Sequence, residues 1–144
     1  MGVEKIKMII VSACLAGVNC NYKGSNYKIE KVAEMVKNKE AVVVCPELLG
    51  GLTSPRIPVE LINGKAIRKD GVDVTEAFNK GAEKTLEFCK KHNIKKAILK
   101  SNSPSCGCNK IYDGTFSGVV IDGDGITTKL LKENGIEVIS SDEV

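Results

Sequence analysis

The chain has 144 residues, 21 Lys plus Arg against 18 Asp plus Glu, a formal charge of +3, and 42% hydrophobic and 27% charged residues. This ordinary globular mix excludes disorder and collagen-like repeats, and the charge is too mild to argue for a nucleic-acid groove or an anionic membrane surface. No apolar run approaches the roughly 20 residues that cross a bilayer, and the length is that of a single domain, 1–144, able to build a core without staples.

Lys5 to Ala13, KIKMIIVSA, holds a short apolar run that stops at small residues and reads as a buried strand. Ile29 to Asn38 repeats Ile29, Val32, Ala33 and Val36 at helical spacing. Ala41 to Cys45, AVVVC, is a second strand, β-branched at its centre. Leu48 to Pro58, with two glycines and two prolines, reads as an irregular loop. Asn63-Gly64 reads as a tight hairpin turn between Leu61-Ile62 and Lys65–Ile67. Asp73 to His92 is the clearest helix, with Asp73 or Thr75 as its cap. Lys95 to Lys100 is a third strand, Thr127 to Asn134 a helix stopped by Gly135, and Ile136 to Ile139 a last strand. Alternating strands and helices predict an α/β fold, a single-domain Rossmann-like three-layer arrangement with a largely parallel sheet and helices on both faces.

Six cysteines stand beside one His and no Trp. Residues 1–7 carry charges of both signs and no signal-peptide pattern, so the expected location is cytoplasmic. Cysteines there more often bind metal or do redox work than form structural disulfides. Cys14 follows the first strand in SACLAG, Cys45 ends the second in CPELLGG, and Cys106 lies after the third in KSNSPSCG. Open parallel sheets bind ligands at the carboxyl ends of their strands, so these three loops are placed to converge. Ala16-Gly17, Gly50-Gly51 and Pro104–Gly107 are small or rigid. They let a backbone approach a compact ligand and aim N–H groups at it, or they are simply tight turns.

No C-x2-C zinc knuckle is present, and His92 sits at an exposed helix end among lysines. An iron–sulfur cluster is the better soft-ligand candidate. Cys89 lies on the long helix's apolar stripe and reads as core. Cys20 is a fourth ligand, a redox partner of Cys14 or a buried thiol, with a non-ligand role favoured. Cys108 reads as loop-exposed.

These residues resemble a known family. VSACLAGVNC with YKG, CPELLGGLTSPRIPVE, GVDVTEAFNKGA, ILKSNSPSCG and IYDGTFSG, running from about Val11 to Gly135, are similar to the DUF523 family, which includes the thiouracil desulfidases. The chain departs from that pattern at Ala16 and Asn21 and in its extra Cys108. The resemblance implies a small α/β enzyme carrying a [4Fe-4S] cluster on Cys14, Cys45 and Cys106. One iron is then left open for the sulfur of a small-molecule thiolated base, which is replaced by oxygen with release of sulfide. No nucleic-acid or membrane partner is implied. Glu47, two residues after Cys45, is the expected general base, its pKa raised by the negative charge of a thiolate-rich cluster. Ser101 and Ser103 bond the substrate and relay a proton, or only shape the turn. Arg56 and Lys100 orient a polar substrate, offset the cluster's charge or make salt bridges, and Glu60 pairs with Arg56. Tyr112 to Phe116 closes over a base or merely turns the chain, with Phe116 favoured as core, and Tyr22 could also stack. Two other readings use the same thiols: a non-enzymatic cluster or metal carrier, and a thiol-redox protein cycling Cys14 with Cys20 or Cys106 with Cys108.

Overall fold

The computed structural model describes residues 8–144. Its elements run β1 (Ile9–Ser12), α1 (Glu30–Lys37), β2 (Ala41–Val44), α2 (Pro46–Leu49), β3 (Val59–Ile62), β4 (Lys65–Arg68), α3 (Thr75–Lys91) and β5 (Lys96–Leu99). They continue with β6 (Lys110–Tyr112), β7 (Val120–Asp122), α4 (Ile126–Glu133) and β8 (Glu137–Ser140). The amino-terminal part of the first expected strand, Lys5 to Lys7, lies outside the described residues.

Four strands form one all-parallel sheet in the order β2-β1-β5-β8. The two-residue period of a strand sorts its side chains between two cores. Ile9, Val11 and Ile98 pack with Val32 of α1 on one face. Ile10, Ala97 and Leu99 pack with Cys89 of α3 and Leu131 of α4 on the other. The result is the expected three-layer α/β fold. The chain runs outward from β1 to β2, then returns past β1 to β5. The order therefore reverses between β1 and β5, where open α/β sheets form their ligand crevice.

The Asn63-Gly64 turn joins β3 to β4 with φ of 52° and 79°, the left-handed pair a two-residue hairpin requires. At the start of α3, Asp73 Oδ1 accepts the Thr75 N–H at 2.8 Å. Thr75 Oγ1 instead accepts the Ala66 N–H at 2.9 Å, tying the helix to β4.

Two local expectations are corrected. The loop from Leu48 to Pro58 begins with helix, because α2 extends through Leu49. Pro46 presets the helical φ at its first position, and the Leu49 and Gly50 N–H groups close the turn on Cys45 and Pro46 carbonyls at 3.0 Å. A second hairpin, β6 with β7, was not legible as strands. All of β7 is exposed, so it lacks the alternation that marks a half-buried strand.

Glycines set how α2 meets α3. A Cβ on Gly50 would lie 2.0 Å from the Ala77 carbonyl oxygen, and one on Gly81 would lie 1.9 Å from that of Pro46. Backbone rests on backbone there, and this contact fixes the peptide that follows Cys45.

Candidate active site: a thiol-lined cavity at the carboxyl edge of the sheet

Cys14 sits in a single 3-10 turn directly after β1. The Tyr27 N–H binds its carbonyl at 2.9 Å, while Gly17 leaves the turn at φ 98°. Cys45 is the N-cap of α2, one residue beyond β2. Cys106 is held by a denser lattice. Ser103 Oγ accepts the Ser105 and Cys106 N–H groups at 3.1 and 3.0 Å, and the Thr128 hydroxyl donates to the Cys106 carbonyl at 2.8 Å. The first N–H groups of α4 have no partners within their own helix. Here Ile126 and Thr127 donate theirs to the Pro104 and Ser105 carbonyls, each at 2.9 Å. The SPSCG loop therefore completes α4, and α4 fixes the loop.

The three loops converge. Cys14, Cys45 and Cys106 line one cavity of ≈ 360 Å³ with Glu47, Ser101 and Ser103. Cys20 lines it too, and its thiol interacts with those of Cys14 and Cys45. The sequence favoured Cys20 away from a ligand set; the fold brings it among the other thiols because the 14–27 loop closes back on Cys14. Cys108 does not share the cavity. It is buried rather than loop-exposed, and its thiol donates to the Val138 carbonyl at 3.4 Å, so the C-x-C pair splits between two places. Cys89 is fully buried in the core, as its helical position required.

Hydrogen bonding between thiols and burial shift Cys20, Cys45 and Cys106 toward the neutral form. The hydrogen bond with Cys14 is the largest influence pushing Cys20 up to about 11. Burial pushes Cys106 to about 12. Cys45 is raised further still, first by its bond with Cys20 and then by burial.

Glu47 forms an ion pair with Arg56, and the two side chains are only 13% and 12% exposed. Burial raises the Glu47 carboxyl above the usual carboxylate range, and the guanidinium opposes that rise. The direction is the expected one, and desolvation is a cause that the sequence did not reveal. Glu47 engages Arg56 through Oε2, Oε1 has no hydrogen-bond partner among the described residues, and the residue lines the cavity. Arg56 also donates to the Cys20 and Thr53 carbonyls, both at 3.0 Å, clamping two loops together. The expected Glu60–Arg56 pair is therefore absent. Glu60 Oε1 instead accepts the Gly114 and Phe116 N–H groups at 2.9 and 3.1 Å.

Ser101 Oγ accepts from Lys100 Nζ at 3.2 Å, and Ser103 Oγ accepts the two backbone N–H groups above. Each hydroxyl hydrogen is left available. Sequence reasoning passed over Tyr27, which lines the cavity beneath Lys100 Nζ at 4.5 Å. The available signal was aromatic scarcity: the chain has three Tyr, and all three line this cavity. Phe116, read as core, is half-buried on the cavity wall because its loop folds over β3.

The model of the family described as 2-thiouracil desulfurase matches residues 9–143. The chain belongs to this family. A relative from Bacillus subtilis (strain 168), the uncharacterized protein YbbK, is 48% identical over 147 residues, covering 95% of this chain and 97% of its own. The solved structure of a [4Fe-4S]-dependent thiouracil desulfidase, TudS, a DUF523 protein, superposes with a TM-score of 0.92 at 41% identity. That match covers 96% of this chain and 93% of the other. The desulfurase family thus carries the DUF523 resemblance drawn from the motifs.

The cavity's donors suit an iron–sulfur cluster. They are thiols, the soft ligands such clusters take. Among the described residues no group of three or more His, Cys, Asp or Glu side chains is placed to hold a single metal ion. No helix among the described residues is long and apolar enough to cross a membrane.

Proposed function

We propose that the protein is a [4Fe-4S]-dependent desulfidase that converts a small thiolated pyrimidine and water into the oxo-pyrimidine and hydrogen sulfide. The observation that carries this reading is the convergence of Cys14, Cys45 and Cys106 from three separate strand ends on one cavity beside a buried carboxylate. Membership of the desulfurase family and the 41% identity to the desulfidase TudS support it.

Cys14, Cys45 and Cys106 would hold the cluster, which supplies a Lewis-acidic iron able to polarise a C=S bond. Glu47, on the cavity wall, takes a proton from water as oxygen adds to the thiocarbonyl carbon. Arg56 keeps Oε2 occupied and so orients the free oxygen. A carboxyl raised by burial is a better base than an exposed one at neutral pH. The Ser101 and Ser103 hydroxyls, each with its oxygen already accepting, are left to donate to the ring's polar edge or to the departing sulfur.

Anaerobic reconstitution with iron and sulfide, followed by incubation with 2-thiouracil, tests the proposal. The expected result is iron–sulfur absorption and one sulfide and one uracil formed per thiouracil consumed. A loaded protein that releases no sulfide would overturn it.

A further inference from the structure

The chain has only six aromatic side chains, three Tyr and three Phe. Two are spent on the fold. Phe78 is 1% exposed in the core, and the Phe88 ring lies 4.5 Å from that of His92. The other four, Tyr22, Tyr27, Tyr112 and Phe116, line the thiol cavity. Two of these already carry a cation over a face: Lys100 Nζ lies 4.5 Å from the Tyr27 ring and Lys23 Nζ 5.5 Å from that of Tyr22. Neither Tyr112 nor Phe116 has a ring or cation against it among the described residues, and of the two only Phe116 lies in a loop outside the strands.

Its backbone is also unusual. Phe116 has φ 55°, a left-handed conformation that a bulky residue adopts only where the surroundings enforce it. Those surroundings are identifiable. Glu60, 8% exposed on β3, takes the N–H groups of Gly114 and Phe116 on one oxygen. Gly114 lies so close to β3 that a Cβ would fall 2.9 Å from the Leu61 carbonyl oxygen and 2.9 Å from Ile62 Cγ1. Asp113 Oδ1 accepts from the Thr115 N–H and hydroxyl at 2.9 and 2.6 Å, stiffening the turn from within. At the loop's base, Ile111 bridges to Asn102, between Ser101 and Ser103. The backbone that carries the ring is thus tied to the segment bearing the serines of the cavity.

We infer that Phe116 is the aromatic plate on which the planar pyrimidine stacks, and that Glu60 is the positioning residue that holds the plate in place. This rests on the proposed desulfidase reading and adds how the ring is selected. Base stacking on an aromatic side chain is worth roughly 5- to 150-fold in affinity elsewhere, and a preference of about tenfold is expected here. Glu60 acts through the loop and touches no substrate.

Equilibrium binding to the reconstituted protein separates this from the chemistry. Uracil and 5,6-dihydrouracil share their polar edge, but only uracil has a flat conjugated ring. The wild type is expected to bind uracil about tenfold more tightly than dihydrouracil, and Phe116→Ala to lose that preference, with Phe116→Tyr restoring it. Phe116→Leu, which keeps apolar bulk without a ring, reads the same ratio if the alanine variant does not fold. Glu60→Gln is expected to speed amide exchange at Gly114 and Phe116 and to give an intermediate ratio. A wild type without the preference, or ring-less variants that retain it, would overturn the plate. Unchanged exchange and ratio in Glu60→Gln would overturn the positioning role. Absence of sulfide release with the uracil preference intact would remove the reaction and leave the plate standing.

Discussion

Cys89 and Cys106 are both buried on the same face of the sheet, within one apolar cluster, yet the fold uses them differently. Cys89 lies in the last turn of α3, where its carbonyl accepts the Ile94 N–H at 2.8 Å; burial alone pushes its thiol up to about 11. Cys106 lies in a loop whose peptides are bonded by Ser103 and Thr128, and its thiol neighbours Ser12 and Ser105 at the cavity. Burial does not distinguish a structural thiol from a functional one. What distinguishes them is whether the backbone around the thiol is held by side chains and whether it faces space that a ligand can fill.

The contrast can be broken most sharply at the proposed ligands. Cys45→Ala is expected to abolish both cluster absorption and sulfide release, whereas Cys89→Ala should load and turn over like the wild type. Iron and sulfide content of the two reconstituted variants checks this, and equal loading would erase the distinction. Glu47→Gln separates chemistry from cofactor binding. It should retain the cluster and lose about 10²–10⁴-fold in kcat, the usual span for a general acid–base group. Steady-state rates at matched cluster content decide it.

Gly81→Ala probes the join between helix core and cavity. Its Cβ would meet the Pro46 carbonyl oxygen, so α2 or α3 must move. Overpacking of this kind costs about 1–3 kcal/mol, and thermal unfolding should show it as a lowered Tm. Reduced cluster occupancy should accompany it, because the peptide after Cys45 moves as well. A lowered Tm with full occupancy would show that α2 does not position the ligand.

The smallest effect concerns Cys89 and pH. Its folded pKa of about 11 exceeds that of the ordinary thiol, 9.0, so folding favours the protonated form. The resulting stability is fully present below about pH 9 and is lost as pH rises toward 11, at up to about 2 kcal/mol. In metal-free protein, the stability gap between wild type and Cys89→Ala should therefore narrow across that window. A gap independent of pH would remove the titration argument.

Much of the layered fold was legible because local rules suffice for it. AVVVC and KKAILK announce buried strands, the stripe from Val74 to Cys89 announces α3, and Asn63-Gly64 announces a turn that needs two left-handed residues. The hairpin of β6 and β7 was hidden because exposed Val120 and Ile121 carry no alternation. Of the candidate site, the strand-end rule placed Cys14, Cys45 and Cys106 together because parallel strands all end at one edge. The partners of Arg56 and Glu60 were misread because nearness in sequence does not fix where side chains point. Arg56 reaches Glu47, and Glu60 reaches the loop more than fifty residues away.

The sequence by itself determined the central strands and the longer helices, the thiol-bearing loops and the family, since periodicity, turn chemistry and motifs are local properties. Only the tertiary structure decided that Cys20 joins the cavity while Cys108 leaves it. It also decided that burial, opposed by Arg56, raises Glu47, and that Phe116 stands on the cavity wall rather than in the core. Desolvation and contact depend on which distant segments pack together, and no window of neighbouring residues contains that information.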